Sequence, residues 1–367
     1  MERHIFLTGL PGFVGSKVVE TLFNEQARSW RGDTISVTAL VQPEFYQQAR
    51  KAIDVYPEKT RNAITLVKGD LCAPCLGMPA ETYAGVCMRV NEVMHIAALY
   101  RLDVPETLAA RVNVVGTQRM LDFARDIKHL RIFSHISSII VSGRRTGVIL
   151  EDELYHDRGF HNHYESTKYM SEVLVHNCRD SLPVAVFRPG VVVGDSRTGD
   201  IPKYDGPYYT IKSYLRLRLF PKFMVPAFGN YGYSPFNMAP VDFIAESLIS
   251  LSGNEAAIGK TFHLTDRYPL TTYELFGLIH DKILGKGRAF CLPRRMIRIL
   301  GRMPVALGRL LGFARSGAVY LDHTAIYDTA NTDALLRDTG IRCPSVHEYI
   351  DVMIDYVKRN PGIPLSI

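Results

Sequence analysis

The chain has 367 residues, 47% of them hydrophobic and 22% charged, with a formal net charge of +6. That composition is globular rather than disordered, and the length gives room for one large domain plus a smaller one. No apolar run reaches the roughly 18 residues of a membrane-spanning helix. The opening MERHIFLTGLPGFVG is broken by Gly and Pro too early for a signal or transit peptide. With six cysteines and no such leader, reduced thiols and a cytoplasmic location are expected. Cys72 and Cys75 form a CxxC without a second pair or a His cluster, so they read as small loop residues and no metal site is expected.

In chain order, Ile5–Thr8 reads as a strand, Gly15–Asn24 as a helix and Ile35–Val41 as a second strand. A polar helix near Tyr46–Val55 and a strand at Ile64–Lys68 follow. Glu92–Ile96 and Ile132–Ser137 have the apolar character of buried strands, separated by a helix around Val114–Asp126. Helix Tyr164–Asp180 then leads into strand Val184–Arg188. Strand and helix in alternation imply an α/β fold, a doubly wound parallel sheet of Rossmann type with helices on both faces. Residues 1–193 form this nucleotide-binding domain, with a return segment at about 235–250. Residues 194–234 and 251–367 make a smaller, mostly helical substrate-binding part. Ligands in such sheets bind beyond the carboxyl ends of the strands, so the chemistry is expected in the loops that follow them.

The first such loop is Thr8-Gly9-Leu10-Pro11-Gly12-Phe13-Val14-Gly15, a GxxGxxG run between strand and helix. Glycines there allow a tight turn and close approach of a pyrophosphate to the helix N-terminus, which points to a dinucleotide. The second strand ends at Gln42, where an acid would select NAD and a nearby Arg would select NADP. With no acid in place NADP is expected, NAD remaining the alternative. Asp70 and Leu71, after the third strand, are placed to meet the adenine, although Asp70 also suits a turn.

Tyr164 and Lys168 stand four residues apart and so share one helix face. An ammonium beside a phenol stabilises the phenolate, which lets a tyrosine pass a proton to or from a carbonyl oxygen. Ser138, at a strand end 26 residues before Tyr164, is the candidate to orient that carbonyl, with Ser137 as its competitor.

These residues resemble the extended short-chain dehydrogenases/reductases over most of the chain. TGLPGFVG is similar to that group's TGxxGFxG loop, His95-Ile96-Ala97-Ala98 to its HxAA segment and Val112–Thr117 to its VNVxGT helix. Tyr164–Lys168 with Glu172 is similar to its YxxSKxxxE run, Thr167 replacing the usual Ser, and Arg188-Pro189-Gly190 to its RPG turn. The resemblance implies a proton-relay role for Asn113. It also implies cofactor contacts from Gly9, Gly12, Phe13, Val14, Gly15, Gln42, Asp70, Leu71, Ala97, Ala98, Tyr164, Lys168, Pro189, Gly190 and Val191. Gly194–Gly199 and Asn237–Asp242 resemble motifs of the thioester reductases, which include the fatty acyl-CoA reductases, and Thr261–Leu264 is similar to a strand of that family. The implied reaction is NAD(P)H-dependent reduction of an acyl thioester, carried on coenzyme A or a carrier protein, to an aldehyde, with aldehyde or alcohol as the final product left open. The alternatives are an alcohol/ketone dehydrogenase or epimerase on a steroid-like, flavonoid-like or sugar-nucleotide substrate, and an inactive cofactor-sensing protein.

Two stretches suggest a greasy substrate. Pro207–Phe228 is crowded with aromatic and aliphatic residues, and Arg288–Arg315 sets seven arginines among Leu, Ile, Met and Phe. The second has the character of an interfacial surface able to meet anionic lipid or the phosphates of a thioester carrier. No nucleic-acid reader motif accompanies it. The sequence leaves the oligomeric state open.

Overall fold

The computed structural model describes residues 2–23, 34–100, 104–217, 226–227, 234–285, 290–291, 320 and 323–365. Its centre is a seven-stranded, all-parallel sheet of β1 (Glu2–Thr8), β2 (Thr34–Val41), β3 (Ile64–Lys68), β4 (Glu92–His95), β5 (Ile132–Ile136), β6 (Val184–Pro189) and β7 (Thr261–Leu264). Their spatial order is β7-β6-β5-β4-β1-β2-β3, so the winding reverses between β1 and β4. That reversal opens the crevice in which a doubly wound sheet binds its ligand.

Alternation along each strand feeds two cores. From β1, Ile5 and Leu7 join one cluster with α1 (Phe13–Phe23) and the Val241–Ser252 helix. Phe6 points the other way, into a cluster with the Ala80–Arg89 and Gly116–Asp126 helices and Val175. A third core joins Tyr208, Ile211 and Tyr214 to Leu275, Phe276, Ile279, Tyr349, Ile350 and Met353, on helices Tyr208–Leu217, Thr272–Leu284 and Val346–Arg359. These three helices form the mostly helical part beside the sheet.

The sequence-predicted strands and helices are present, with ends displaced by up to four residues. One difference concerns topology. Strand β7 lies within residues 251–367, expected to shape the substrate-binding part, yet it is the edge strand of the main sheet, paired in parallel with β6. All four of its residues are buried. The chain therefore returns to the nucleotide-binding layer well beyond residue 250.

Outside the main sheet, the short strand Ala325–Tyr327 pairs with Gly147–Ile149. The arginine-rich stretch Arg288–Arg315 lies outside the described residues, apart from the short strand Phe290–Cys291. So does the second half of Pro207–Phe228, apart from the strand Pro226–Ala227. Among the described residues no helix is long and apolar enough to cross a membrane.

Candidate active site

The glycine loop joins β1 to α1. Gly9 has φ +101°, and a Cβ on Gly15 would sit 2.4 Å from the Gly9 carbonyl oxygen, so a side chain there would break the turn. Gly12 N–H donates to Gly9 O at 2.8 Å, and α1 opens at Phe13 with no acid in its first turn. A tight backbone cradle at an acid-free helix N-terminus is the donor set a pyrophosphate needs.

The loop is locked to its neighbour through Thr8. Its hydroxyl accepts from Ile96 N–H (3.2 Å) and Ala97 N–H (3.1 Å) and donates to His95 Nδ1 (2.9 Å). Thr117 spends its own proton on Asn113 O (2.7 Å), so His95 Nε2 must donate to Thr117 Oγ1 (3.1 Å). Burial, helped by the charge of Lys168, pushes His95 down to about 3 and keeps it neutral. His95 thus ties the ends of β1 and β4 to the helix beyond them.

At the end of β2, Gln42 is exposed and starts a short 3₁₀ turn at Pro43–Phe45. The sequence reading missed the cation beside it. Lys68 is in register with Val41 and lies 4.9 Å from the centre of the Tyr46 ring. The signal was the basic residue closing β3. Asp70 accepts from Cys72 N–H at 2.9 Å, as a turn residue would, and lies 3.9 Å from Arg111. Leu71 turns its side chain into the core, so close to Gly116 that a Cβ there would be 2.8 Å away.

The catalytic candidates stand on α2 (His163–His176), capped by Asn162, whose side chain accepts from Glu165 N–H. Tyr164 is buried, 7% exposed, and its phenol bonds to no described residue. The Tyr100 ring meets it edge-on at 5.2 Å, and Tyr100 donates to Asp205 at 2.8 Å. Burial pushes the Tyr164 phenol well up. Lys168 donates one of its three N–H bonds to Ile136 O at 2.6 Å, and burial lowers it to about 8 against the pull of Glu172. Two ammonium donors remain for a ribose diol, so the residues present fit a nicotinamide nucleotide.

Of the two serines, Ser137 is committed: it is buried and donates to Glu172 at 2.5 Å. Ser138, half-buried at the end of β5, accepts a long 3.4 Å bond from Ile140 N–H and among the described residues makes no other side-chain hydrogen bond, which leaves its hydroxyl proton available.

Asn113 lies in a π-helical segment, Ala110–Val115, that leads into the Gly116–Asp126 helix. Its Oδ1 accepts from Leu99 N–H (2.8 Å), and its Nδ2 donates to Thr167 Oγ1 (3.1 Å) and Leu99 O (3.4 Å). Asn113 thereby holds the loop after β4 against α2. Thr167 keeps the hydroxyl that the usual Ser would supply.

At Ala97, Gly190 and Val191, where cofactor contacts are implied, the backbone N–H groups are bonded within the protein. Ala97 N–H goes to Thr8 Oγ1, Gly190 N–H to Leu264 O (3.0 Å) and Val191 N–H to Asn237 O (2.9 Å). Pro189 has no N–H, so these positions offer a cofactor shape and carbonyls rather than N–H donors.

The motifs after the RPG turn also have a structural account. Lys17 on α1 pairs with Asp195 at 2.7 Å, and Asp195 caps Arg197 N–H and Thr198 N–H. Asp242 accepts from both the N–H and the hydroxyl of Ser196. The loop Gly194–Gly199 is thereby fixed to α1 and to the Val241–Ser252 helix.

A family model described as male sterility protein matches residues 7–248. A linear gramicidin synthase polypeptide of Brevibacillus parabrevis is 25% identical over 374 residues, 96% of this chain and 7% of that protein. Fatty acyl-CoA reductase wat of Drosophila melanogaster is 27% identical over 242 residues, 56% of this chain and 46% of that protein. The chain thus spans less than half the length of these relatives. The terminal R domain of the myxalamid PKS-NRPS pathway superposes with a TM-score of 0.81 at 24% identity, over 99% of this chain and 92% of that one. UDP-glucuronic acid 4-epimerase from Bacillus cereus, in complex with NAD, gives 0.65 at 17% identity over 97% and 99%. The family match takes in both the glycine loop and the Tyr164/Lys168 pair: the chain belongs to the male sterility protein family, among the extended short-chain dehydrogenases/reductases.

Proposed function

We propose that the protein reduces an acyl thioester, carried on coenzyme A or a carrier protein, to an aldehyde and a free thiol, with NADP(H) preferred. The observation that carries this reading is the family match over residues 7–248, which takes in the catalytic candidates, together with the likeness to fatty acyl-CoA reductase wat. When bound, the nicotinamide supplies hydride to the thioester carbon. Ser138 Oγ–H holds the carbonyl oxygen, and Tyr164 Oη delivers a proton to it as negative charge develops. Lys168 stabilises the phenolate that Tyr164 leaves behind, and Asn113 keeps the helix bearing both in place. The resulting hemithioacetal loses its thiol to give the aldehyde. A second round of reduction yields an alcohol if the aldehyde stays bound. The NADP preference rests on Gln42 in place of an acid and on Lys68 beside the strand end.

The test is oxidation of NADPH and NADH by purified protein with a long-chain acyl-CoA, free thiol being followed in parallel. Thiol released in proportion to NADPH consumed is the expected result. Turnover of a ketone or sugar nucleotide without any thioester turnover would move the protein to the dehydrogenase and epimerase side of the superfamily.

The pH profile is also set by the site. Below about 8 Lys168 carries its charge, and above about 8 it loses it. The kcat/KM for reduction should therefore hold at lower pH and fall as pH rises through about 8. A profile flat from pH 7 to pH 10 would detach Lys168 from the chemistry.

A further inference from the structure

Two loops approach the reaction centre, one leaving Ser138 and one leading to Tyr164, and they cross. A Cβ on Gly143 would lie 2.2 Å from Gly159 O, and Arg144 N–H donates to Gly159 O at 3.0 Å. His156 fastens the second loop to the first, donating from Nε2 to Val141 O (2.8 Å) and accepting Arg158 N–H at Nδ1 (3.3 Å). Beside the crossing lies an open depression of about 290 Å³, lined by Arg144, Arg145, Thr146 and Arg158.

Its charge is unevenly neutralised. Arg145 pairs with Glu153. Arg158 has only a loose 3.8 Å contact with Asp157, both side chains being largely exposed, and such a pair is worth little. Arg144 is exposed and has no carboxylate partner among the described residues. Two arginines without a close carboxylate partner among the described residues, and a threonine, thus line an open concavity, and guanidinium and hydroxyl groups are the donors that phosphate oxygens accept from.

The cofactor's own ribose phosphate does not suit this place. The depression follows β5, whereas the ribose end of the cofactor belongs at β2, three strands away or roughly 14 Å across the sheet. Arg144 follows Ser138 by six residues and Arg158 precedes Tyr164 by six. With Ile139–Ser142 wound into a 3₁₀ turn, the depression lies within about 20 Å of both catalytic candidates, a distance that a pantetheine arm can bridge.

We infer that this arginine depression binds the phosphoryl group at the far end of the substrate's pantetheine arm and so positions the thioester at Tyr164. The inference rests on the thioester reading above. It is tested by calorimetric titration of the full chain with 4′-phosphopantetheine and with pantetheine, in wild type and in Arg144→Ala/Arg158→Ala, alongside turnover of the corresponding acyl thioesters. Wild type should favour the phosphorylated ligand by roughly ten- to a hundredfold, and the double variant should lose that preference with a raised KM and a retained kcat. Phosphate-dependent binding without thioester turnover would sustain the depression's role while removing the reaction assigned above. Wild-type turnover indifferent to the phosphate would overturn the inference and leave the reaction standing. Equal losses on both ligands, or weakened NADPH binding with NADH binding intact, would also overturn it.

Discussion

Tyr164→Phe should lower kcat by about 10²–10⁴-fold while the affinity for the nicotinamide nucleotide stays close to wild type. The substitution removes one oxygen and keeps the ring, so the edge-on packing against Tyr100 survives. Because the phenol bonds to no described residue, no buried partner is orphaned and the fold should not suffer. Lys168 retains its bond to Ile136 O and its free donors for the ribose, so binding and proton transfer separate cleanly. Cofactor titration by fluorescence, combined with steady-state kinetics on a verified substrate, reads both quantities. A variant that turned over at the wild-type rate would place the acid elsewhere. Ser138→Ala is the contrasting case, because it removes a donor to the carbonyl oxygen but leaves the acid in place.

The order of the main sheet was legible because parallel strands buried on both faces are written as short apolar runs. Ile64–Lys68 is such a run, predicted and found with the same ends. The seventh strand was not legible as part of the sheet. Thr261–Leu264 is only four residues long and arrives after the 194–234 excursion, and nothing local says which edge it joins. At the site, residue types and spacing were enough to nominate Tyr164, Lys168 and Ser138. What spacing cannot carry is the use each polar group is put to. Ser137 and Ser138 are equivalent in sequence until the pleat turns Ser137 inward onto Glu172 and leaves Ser138 at the strand end. Asn113 and the backbone at Ala97, Gly190 and Val191 matched motifs, yet their bonds are made to distant segments, Thr167 and Leu264 among them. Tyr100 escaped notice because its neighbour Tyr164 is far along the chain and no periodicity links them.

Glu172→Gln should cost about 3–5 kcal/mol of stability and lower Tm by roughly 4–7 degrees. Glu172 and Arg188 are each 1% exposed, and the guanidinium grips the carboxylate through Nη2 (2.6 Å) and Nε (3.0 and 3.1 Å). Around them Ser137 donates to the same carboxylate, while Arg188 Nη1 donates to His263 Nε2 (3.1 Å) and Glu151 O (3.3 Å). His263 must present a bare Nε2, because its Nδ1–H donates to Asp328 O at 2.6 Å. Neutralising Glu172 thus strands a guanidinium that, among the described residues, bonds to no other carboxylate oxygen. It also removes the one charge that supports the Lys168 ammonium, so the fall in kcat/KM should move to lower pH. The second readout separates the pair from generic core damage, which would lower Tm without moving the profile. Glu172→Gln combined with Arg188→Met removes both charges, and a double-mutant cycle should show it recovering part of the lost stability. A double variant no more stable than the single one, with the pH profile unmoved in both, would mean that the ion pair neither tensions the catalytic helix against β6 nor tunes the lysine on it.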